Sequence, residues 1–246
     1  EYDMLRGLVG SEMCIRDRKK ADYGVVPIEN STEGAVNHTL DMFADSPLRI
    51  CAQILLPIEN ALISKKPREK ITKLYSHPQV FGQCRSWIQK NFPSAELVEV
   101  SSTTRAAELI SDESSAAALG GRLAAELNNL EVLEEKIQDK ATNTTRFLVL
   151  SHKMCPPTGN DRTSVMFSVR HKAGSLVKAL EPFNEFHINM SKIESRPSKQ
   201  KEWEYFFFVD IAGHCEDPKL SEALQNLEEH CNFIKVLGSY PDSEVK

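Results

Sequence analysis

Tyr23-Gly-Val-Val-Pro-Ile-Glu-Asn-Ser-Thr-Glu-Gly34 runs from apolar residues into polar and turn residues, and Ala35 to Met42 then resumes with apolar positions at helical spacing. A period that changes from strand to helix across one loop marks a strand, loop, helix unit. Asn30, Ser31 and Thr32 are placed to cap that helix, which would leave backbone N–H groups directed at an anion.

The same alternation continues outward. Leu48 to Leu56 and Ala61 to Ser64 read as strands, with Lys65-Lys-Pro-Arg68 an exposed connection. Leu74 to Ser76 is a brief strand ending at His77-Pro78, and Val80 to Asn91 reads as one helix closed by Phe92-Pro93. Leu97 to Val100 is a further strand, Ser101-Ser-Thr-Thr104 caps a helix from Arg105 to Ser111, and Ala116 to Asn128 holds one more strand and helix. Strands alternating with helices predict an α/β domain with a mainly parallel sheet. Cys155-Pro-Pro-Thr-Gly-Asn160 has the composition of a linker. Beyond it the order is βαββαβ: strands at Thr163–Val169, Ile188–Glu194, Tyr205–Ala212 and Ile234–Tyr240, helices at Ser175–Phe186 and Pro218–His230. That order predicts a small ferredoxin-like sandwich.

Composition narrows the function classes. With 246 residues and 41% apolar content the chain suits one large or two ordinary globular domains. A formal net charge of -5 and the lack of any basic stripe argue against nucleic acid as partner. Six cysteines without a C-x-x-C spacing fit reduced thiols in the cytoplasm rather than a disulfide framework, and no structural metal is expected. No apolar window reaches transmembrane length, so no membrane partner is expected. Residues 1–18 carry no sustained period and lead into the cluster Arg16-Asp-Arg-Lys-Lys20; they are read as a leader of foreign origin.

Asn143-Thr-Thr-Arg-Phe147 sets hydroxyls, a guanidinium and an aromatic ring at the entry of the buried strand Phe147–Leu150. Such a grouping suits a small anionic substrate that must lose a leaving group. Taken alone, it reads first as a β-rich strand entry with a solvated charge.

Several blocks occur in one order: Gly24 to Gly34, Tyr75-Ser-His-Pro-Gln79 with Gln83-Cys84, Ser102-Thr103, Asn143 to Phe147, Ile193-Glu-Ser-Arg-Pro197 and Leu237-Gly-Ser-Tyr-Pro241. From about Ala21 to Pro241 the chain resembles a prephenate dehydratase followed by an ACT regulatory domain. The resemblance implies a carbon–oxygen lyase that converts prephenate to phenylpyruvate without a cofactor, regulated by phenylalanine, in a homodimer or higher homo-oligomer. It implies a catalytic domain of two lobes like those of periplasmic binding proteins, with a cleft between them. Residues 19–154 would be catalytic and 162–241 the ACT part. The chain would cross out of lobe one near Pro57 and return near Thr142. Lobe one would be incomplete, because the family's Gly-rich opening strand lies upstream of the Gly24 block. In fused bacterial members a chorismate mutase domain precedes this region.

The implied site residues follow by motif. Thr145 carries the hydroxyl that assists the leaving group, with Thr144 its competitor. Asn30, Ser76 and Gln83 join it as catalytic polar contacts. Glu29, Ser31, His77, Ser102, Thr103, Arg146 and Phe147 are implied around the substrate. For Arg146 the alternatives are a substrate carboxylate or a structural salt bridge. For Asn30 and Ser31 they are substrate contact or helix capping, for His77 catalysis or a turn, and for Ser102 and Thr103 carboxylate binding or capping. Gly174-Ser-Leu-Val177 and Glu194-Ser-Arg-Pro197 are the implied phenylalanine segments, so that Gly174, Ser175, Leu176, Val177, Glu194, Ser195, Arg196 and Pro197 form the regulatory set. Gly174 is expected to allow close backbone approach, and Ser175 replaces the alanine usual there. The same motifs occur in arogenate dehydratases, and a catalytically inert amino-acid sensor is the alternative of another class.

Overall fold

The chain leaves one folded unit at Pro57 and re-enters it after Thr144, close to the crossings the sequence implies. The computed structural model describes residues 22–242, apart from 33, 112, 114, 141 and 200–202. The leader read at 1–18 therefore lies outside the described residues.

In the unit Pro57–Thr144, β4 (Ala61–Ser64), β5 (Lys73–Ser76), β6 (Glu96–Glu99), β7 (Ala116–Gly120) and β8 (Glu131–Glu134) form one sheet in the order β6-β5-β7-β4-β8. The short strand of small residues at β7 is buried at every position, because both faces are covered. Ala117 and Leu119 face a core with Leu62, Leu74, Phe81 and Ile88, whereas Ala116 and Ala118 face one with Ile63, Ala106, Ala107 and Ile110. The sheet is mixed rather than mainly parallel: β5 pairs in parallel with β6 and β7, but β4 is antiparallel to β7 and β8. Parallel pairing needs a helical crossover, which only the segments on either side of β6 supply. β8 was not anticipated; its alternation is too short and too acidic to stand out.

The helix predicted from Val80 to Asn91 is two helices, Pro78–Gln83 and Arg85–Asn91, broken at Cys84. Its break is held from a distance, since the Asp139 carboxylate accepts from the freed N–H groups of Ser86 (2.9 Å) and Trp87 (3.1 Å). A capping group more than fifty residues away leaves no local mark.

In the other unit, β1 (Gly24–Asn30), β2 (Gly34–Ala35), β3 (Arg49–Pro57) and β9 (Thr144–Ser151) form a sheet in the order β2-β1-β9-β3, with α1 (Asn37–Met42) beside β1. β10 (Asp161–Val169), β11 (Met190–Pro197), β12 (Tyr205–Ala212) and β13 (Cys231–Pro241) form an antiparallel sheet in the order β11-β12-β10-β13. With the helices Ser175–Glu185 and Pro218–Glu229 this is the βαββαβ sandwich the sequence predicts. Val165, Phe167, Val209 and Ile211 pack under those helices. The opposite face carries Met166, Phe206, Phe208, Leu237 and Tyr240, and it shares one core with Val26, Ile28, Leu40, Phe43, Ile50, Leu148 and Leu150. The two parts that the linker separates in sequence are thus one body with a common apolar layer.

Contact between the two sheets is close enough to require glycine at one point. A Cβ on Gly238 would lie 2.7 Å from the Ile50 nitrogen and 2.9 Å from its carbonyl carbon. Beside it Lys235 donates to the carbonyls of Phe43 (2.7 Å), Ala44 (3.2 Å) and Ser46 (2.8 Å). Gly238→Ala should therefore lower stability by about 2 kcal/mol or more, as overpacking against rigid backbone does. Urea unfolding checks this; an unchanged midpoint would show that the sheets separate at little cost.

Candidate active site

Two residues after Ile28, the ladder between β1 and β9 sets Asn30 opposite Thr145. Pro27 faces Phe147, yet Glu29 faces Arg146, so the register slips by one residue at a bulge. Without that bulge Asn30 would face Thr144. Bulges of this kind re-aim side chains near functional sites. Directly opposed residues share a face, and the Asn30 amide Nδ2 donates to the Thr145 hydroxyl at 2.9 Å.

Amide orientation follows from the hydrogen bonds. Asn30 Oδ1 accepts from the Thr32 N–H at 2.9 Å and from the Thr32 hydroxyl at 2.6 Å, an Asx turn that directs Nδ2 toward Thr145. Because Thr145 Oγ1 accepts this bond, its own proton is oriented to be given elsewhere. Asn30 therefore does not cap α1. That helix begins at Asn37 with Val36 as its N-cap residue and no side-chain cap, which corrects the capping reading for Asn30, Ser31 and Thr32. Ser31 is exposed in the turn, and Phe147 is half-buried opposite Pro27.

The pleat turns Arg146 to the other face of β9, with Leu148 and Leu150, into the core shared with the second sheet. Each guanidinium nitrogen donates there: Nε to Gln53 Oε1 at 2.8 Å, Nη1 to Asp210 Oδ2 at 2.6 Å and Nη2 to the Tyr240 hydroxyl at 2.8 Å. Ser164 donates to Asp210 Oδ1 at 2.5 Å and lies 2.6 Å from the Tyr240 oxygen, so Tyr240 is the donor between them and the circuit closes. Burial works against the Arg146 charge, but Tyr240 and Asp210 outweigh it and raise the pKa. Burial first, then the Asp210 charge, raises that of the Tyr240 hydroxyl. Of the two readings open for Arg146, its donors occupy the structural one. Glu29 completes this edge, 3.9 Å from Arg146 Nη1 and 2.8 Å from Lys192 Nζ.

Ser76, His77, Gln83, Ser102 and Thr103 belong to the unit Pro57–Thr144. Ser76 is fully buried and its hydroxyl donates to Leu119 O at 2.7 Å, so it ties β5 to β7 and does not present the polar contact expected of it. His77 caps the helix Pro78–Gln83, its Nδ1 accepting from the Gln79 N–H at 3.3 Å. Gln83 Oε1 accepts from Asn60 Nδ2 at 3.0 Å. Asn60 is 3% exposed and was not singled out from sequence, where a lone asparagine after a strand reads as a turn. Ser102 is the N-cap of the helix Thr103–Ile110 and accepts from the Arg105 N–H at 3.0 Å, the capping alternative.

In the sandwich, Ser168 and Arg196 face Phe206 from its two sides, so the ends of β10 and β11 lie at one end of the sheet. Gly174, after β10, is exposed with φ +80 and would meet nothing within 4 Å if it carried a Cβ. Its left-handed conformation at the helix start is what requires glycine there. Ser175 and Leu176 are half-buried on the first turn, and Val177 is exposed. Lys192, Glu194 and Arg196 share the face of β11 opposite Asp210, Phe208 and Phe206, whereas Ser195 and Pro197 are exposed. Among the described residues no three His, Cys, Asp or Glu side chains are grouped to hold a metal ion.

The prephenate dehydratase profile matches residues 14–155 and the ACT domain profile residues 163–229. The chain belongs to the prephenate dehydratase family. It is 48% identical over 226 residues to the bifunctional chorismate mutase/prephenate dehydratase of Aquifex aeolicus, covering 92% of this chain and 62% of that protein. Thus the chain spans about three fifths of the length of the bifunctional relatives it matches. The prephenate dehydratase of Methanocaldococcus jannaschii is 38% identical, over 89% of this chain and 80% of its own. Among solved structures, the Arthrobacter aurescens prephenate dehydratase in complex with L-Phe superposes with a TM-score of 0.85 at 34% identity, covering 93% and 78% of the two chains. A protein described as a novel type of quorum quenching acylase superposes with the same TM-score at 28% identity, covering 94% and 86%.

Removing one partner of the buried circuit isolates a charge. Asp210→Ala should cost about 3 kcal/mol or more, and Tyr240→Phe about 1 kcal/mol. Urea unfolding at neutral pH tests the order; equal losses would show that Arg146 finds another counter-charge.

Proposed function

We propose that this chain converts prephenate to phenylpyruvate, water and carbon dioxide, and that L-phenylalanine controls the conversion through the ACT part. In the reaction the bond from the ring to the ring carboxylate breaks and its electron pair enters the ring. The bond to the ring hydroxyl breaks as the ring becomes aromatic, and the departing oxygen takes a proton to leave as water. A hydrogen-bond donor at that oxygen is what the chain must supply.

The observation that carries this reading is the Asn30–Thr145 bond, with the Asn30 amide fixed by Thr32. Thr145 is a weak acid, so its role is that of an oriented donor to the leaving oxygen, not a reservoir of free protons. Asn30 is its positioning partner, and Gln83 supplies an amide for a substrate oxygen. Residues 19–154 carry this activity and 162–241 the control. Glu194 to Pro197 and the helix start after Gly174 hold the amino acid, in keeping with the relative solved with L-Phe. We also read the protein as cytoplasmic and homodimeric; the five described cysteines are all free thiols.

Thr145→Ala should lower the rate of phenylpyruvate formation from prephenate by about 100-fold or more, and Thr144→Ala by less than about 10-fold. Equal losses would assign the wrong hydroxyl. Glu194→Gln should weaken phenylalanine binding by about 10-fold, as loss of a charged partner does. An unchanged calorimetric affinity would place the amino acid elsewhere.

A further inference from the structure

Arg196 lies within the segment assigned to phenylalanine, yet its guanidinium also reaches a carboxylate on α1. Its Nε and Nη2 lie 3.3 and 3.5 Å from the two oxygens of Asp41, and Lys199 Nζ lies 2.6 Å from one of them. Asp41 and Arg196 side chains are each about one-fifth exposed, so the pair is only partly screened by water. Asp41 has its pKa lowered: burial opposes the charge, and the bonds from Lys199 and Arg196 overcome it. α1 and its N-cap residue are in turn bound to β1 just before the bulge and at it. The Thr39 hydroxyl donates to Pro27 O at 2.7 Å, and the Val36 N–H donates to Ile28 O at 2.9 Å. The bulge at Ile28 is what sets Asn30 opposite Thr145.

We propose that Asp41 is the residue through which an amino acid at Glu194–Pro197 acts on the Asn30–Thr145 pair. The proposal rests on that segment being the phenylalanine site. An amino-acid carboxylate beside β11 competes with Asp41 for the Arg196 guanidinium, whose bonds to Asp41 are long and easily exchanged. Released from Arg196, Asp41 keeps, among the described residues, Lys199 on the loop after β11. α1 then shifts against Pro27 and Ile28, and the register that orients Thr145 changes with it. A ligand alters an equilibrium only by contacts that differ between two states, and the sharing of Arg196 is such a difference.

The test uses the natural full-length protein, with calorimetric phenylalanine affinity and prephenate turnover, each measured without and with saturating phenylalanine. Asp41→Asn should bind phenylalanine at least as tightly as the unaltered protein, because the competitor for Arg196 is weakened. Its turnover ratio with and without phenylalanine should fall to within about 2-fold of unity, where coupled sites differ by about 5-fold or more. Asp41→Glu should restore most of the ratio. Lys199→Met alters a side chain that is 67% exposed and leaves Asp41, among the described residues, dependent on Arg196, so the ratio should grow. Should Asp41→Asn not fold, Lys199→Met decides. A ratio unchanged in the variants, with phenylalanine still bound, overturns the proposal alone. If the unaltered protein binds no phenylalanine, the reading of the site falls first and the proposal with it.

Discussion

A guanidinium buried between two sheets must be neutralised, and that requirement fixes how this half of the molecule is built. Arg146 is 7% exposed, and removing such a charge from water costs several kcal/mol unless its donors are met. Its partners come from three strands outside β9: Gln53 on β3, Asp210 on β12 and Tyr240 on β13. A slip of β12 by one residue within its sheet would turn Asp210 toward the helices and leave the charge alone. The apolar layer supplies most of the association energy, and the ion circuit chooses the register in which it forms.

Period two along β9 gives the Thr-Arg pair two separate tasks. Thr145 lies on one face, where Asn30 orients its hydroxyl, and Arg146 lies on the other, where it binds the second sheet. The proposed site and the architecture thus share one strand without competing for space. The bulge at Ile28 reconciles them, since the apolar pairing of Val26 with Leu148 and the polar pairing of Asn30 with Thr145 fit no single unbroken register. Such a local irregularity is stable only because packing on both sides determines it.

Much of this was legible in the sequence, because it rests on local periods. The βαββαβ order and the buried strands at Ala61 and Ala116 follow from alternation and turn residues, and the resemblance implied crossings near Pro57 and Thr142, close to the observed Pro57 and Thr144. The blocks around Asn30 and Thr145 gave the residues of the candidate site, although not their bond. What failed to show was non-local. Asp139 holding the helix break, the Asn30 amide turned by Thr32 toward a residue 115 positions away, and the partners of Arg146 all join distant segments. Ser76 is a like case: the resemblance of its block implied a substrate contact, but its hydroxyl is taken by Leu119 O, 43 positions away.

The linker at 155–160 is a boundary in sequence and not in energy. Tyr240 and Gly238, near the end of the chain, contact groups on β9 and β3, so the apolar layer closes only when the last strand is in place. Contacts of such sequence separation form late, because the intervening chain must first be ordered. Through Arg146 and Tyr240, β9 is joined to β13, whose ladder partner β10 ends beside the segment assigned to phenylalanine. The sandwich sheet is the floor on which β9 lies, since Leu148 and Leu150 share one core with Met166, Phe206, Phe208 and Leu237.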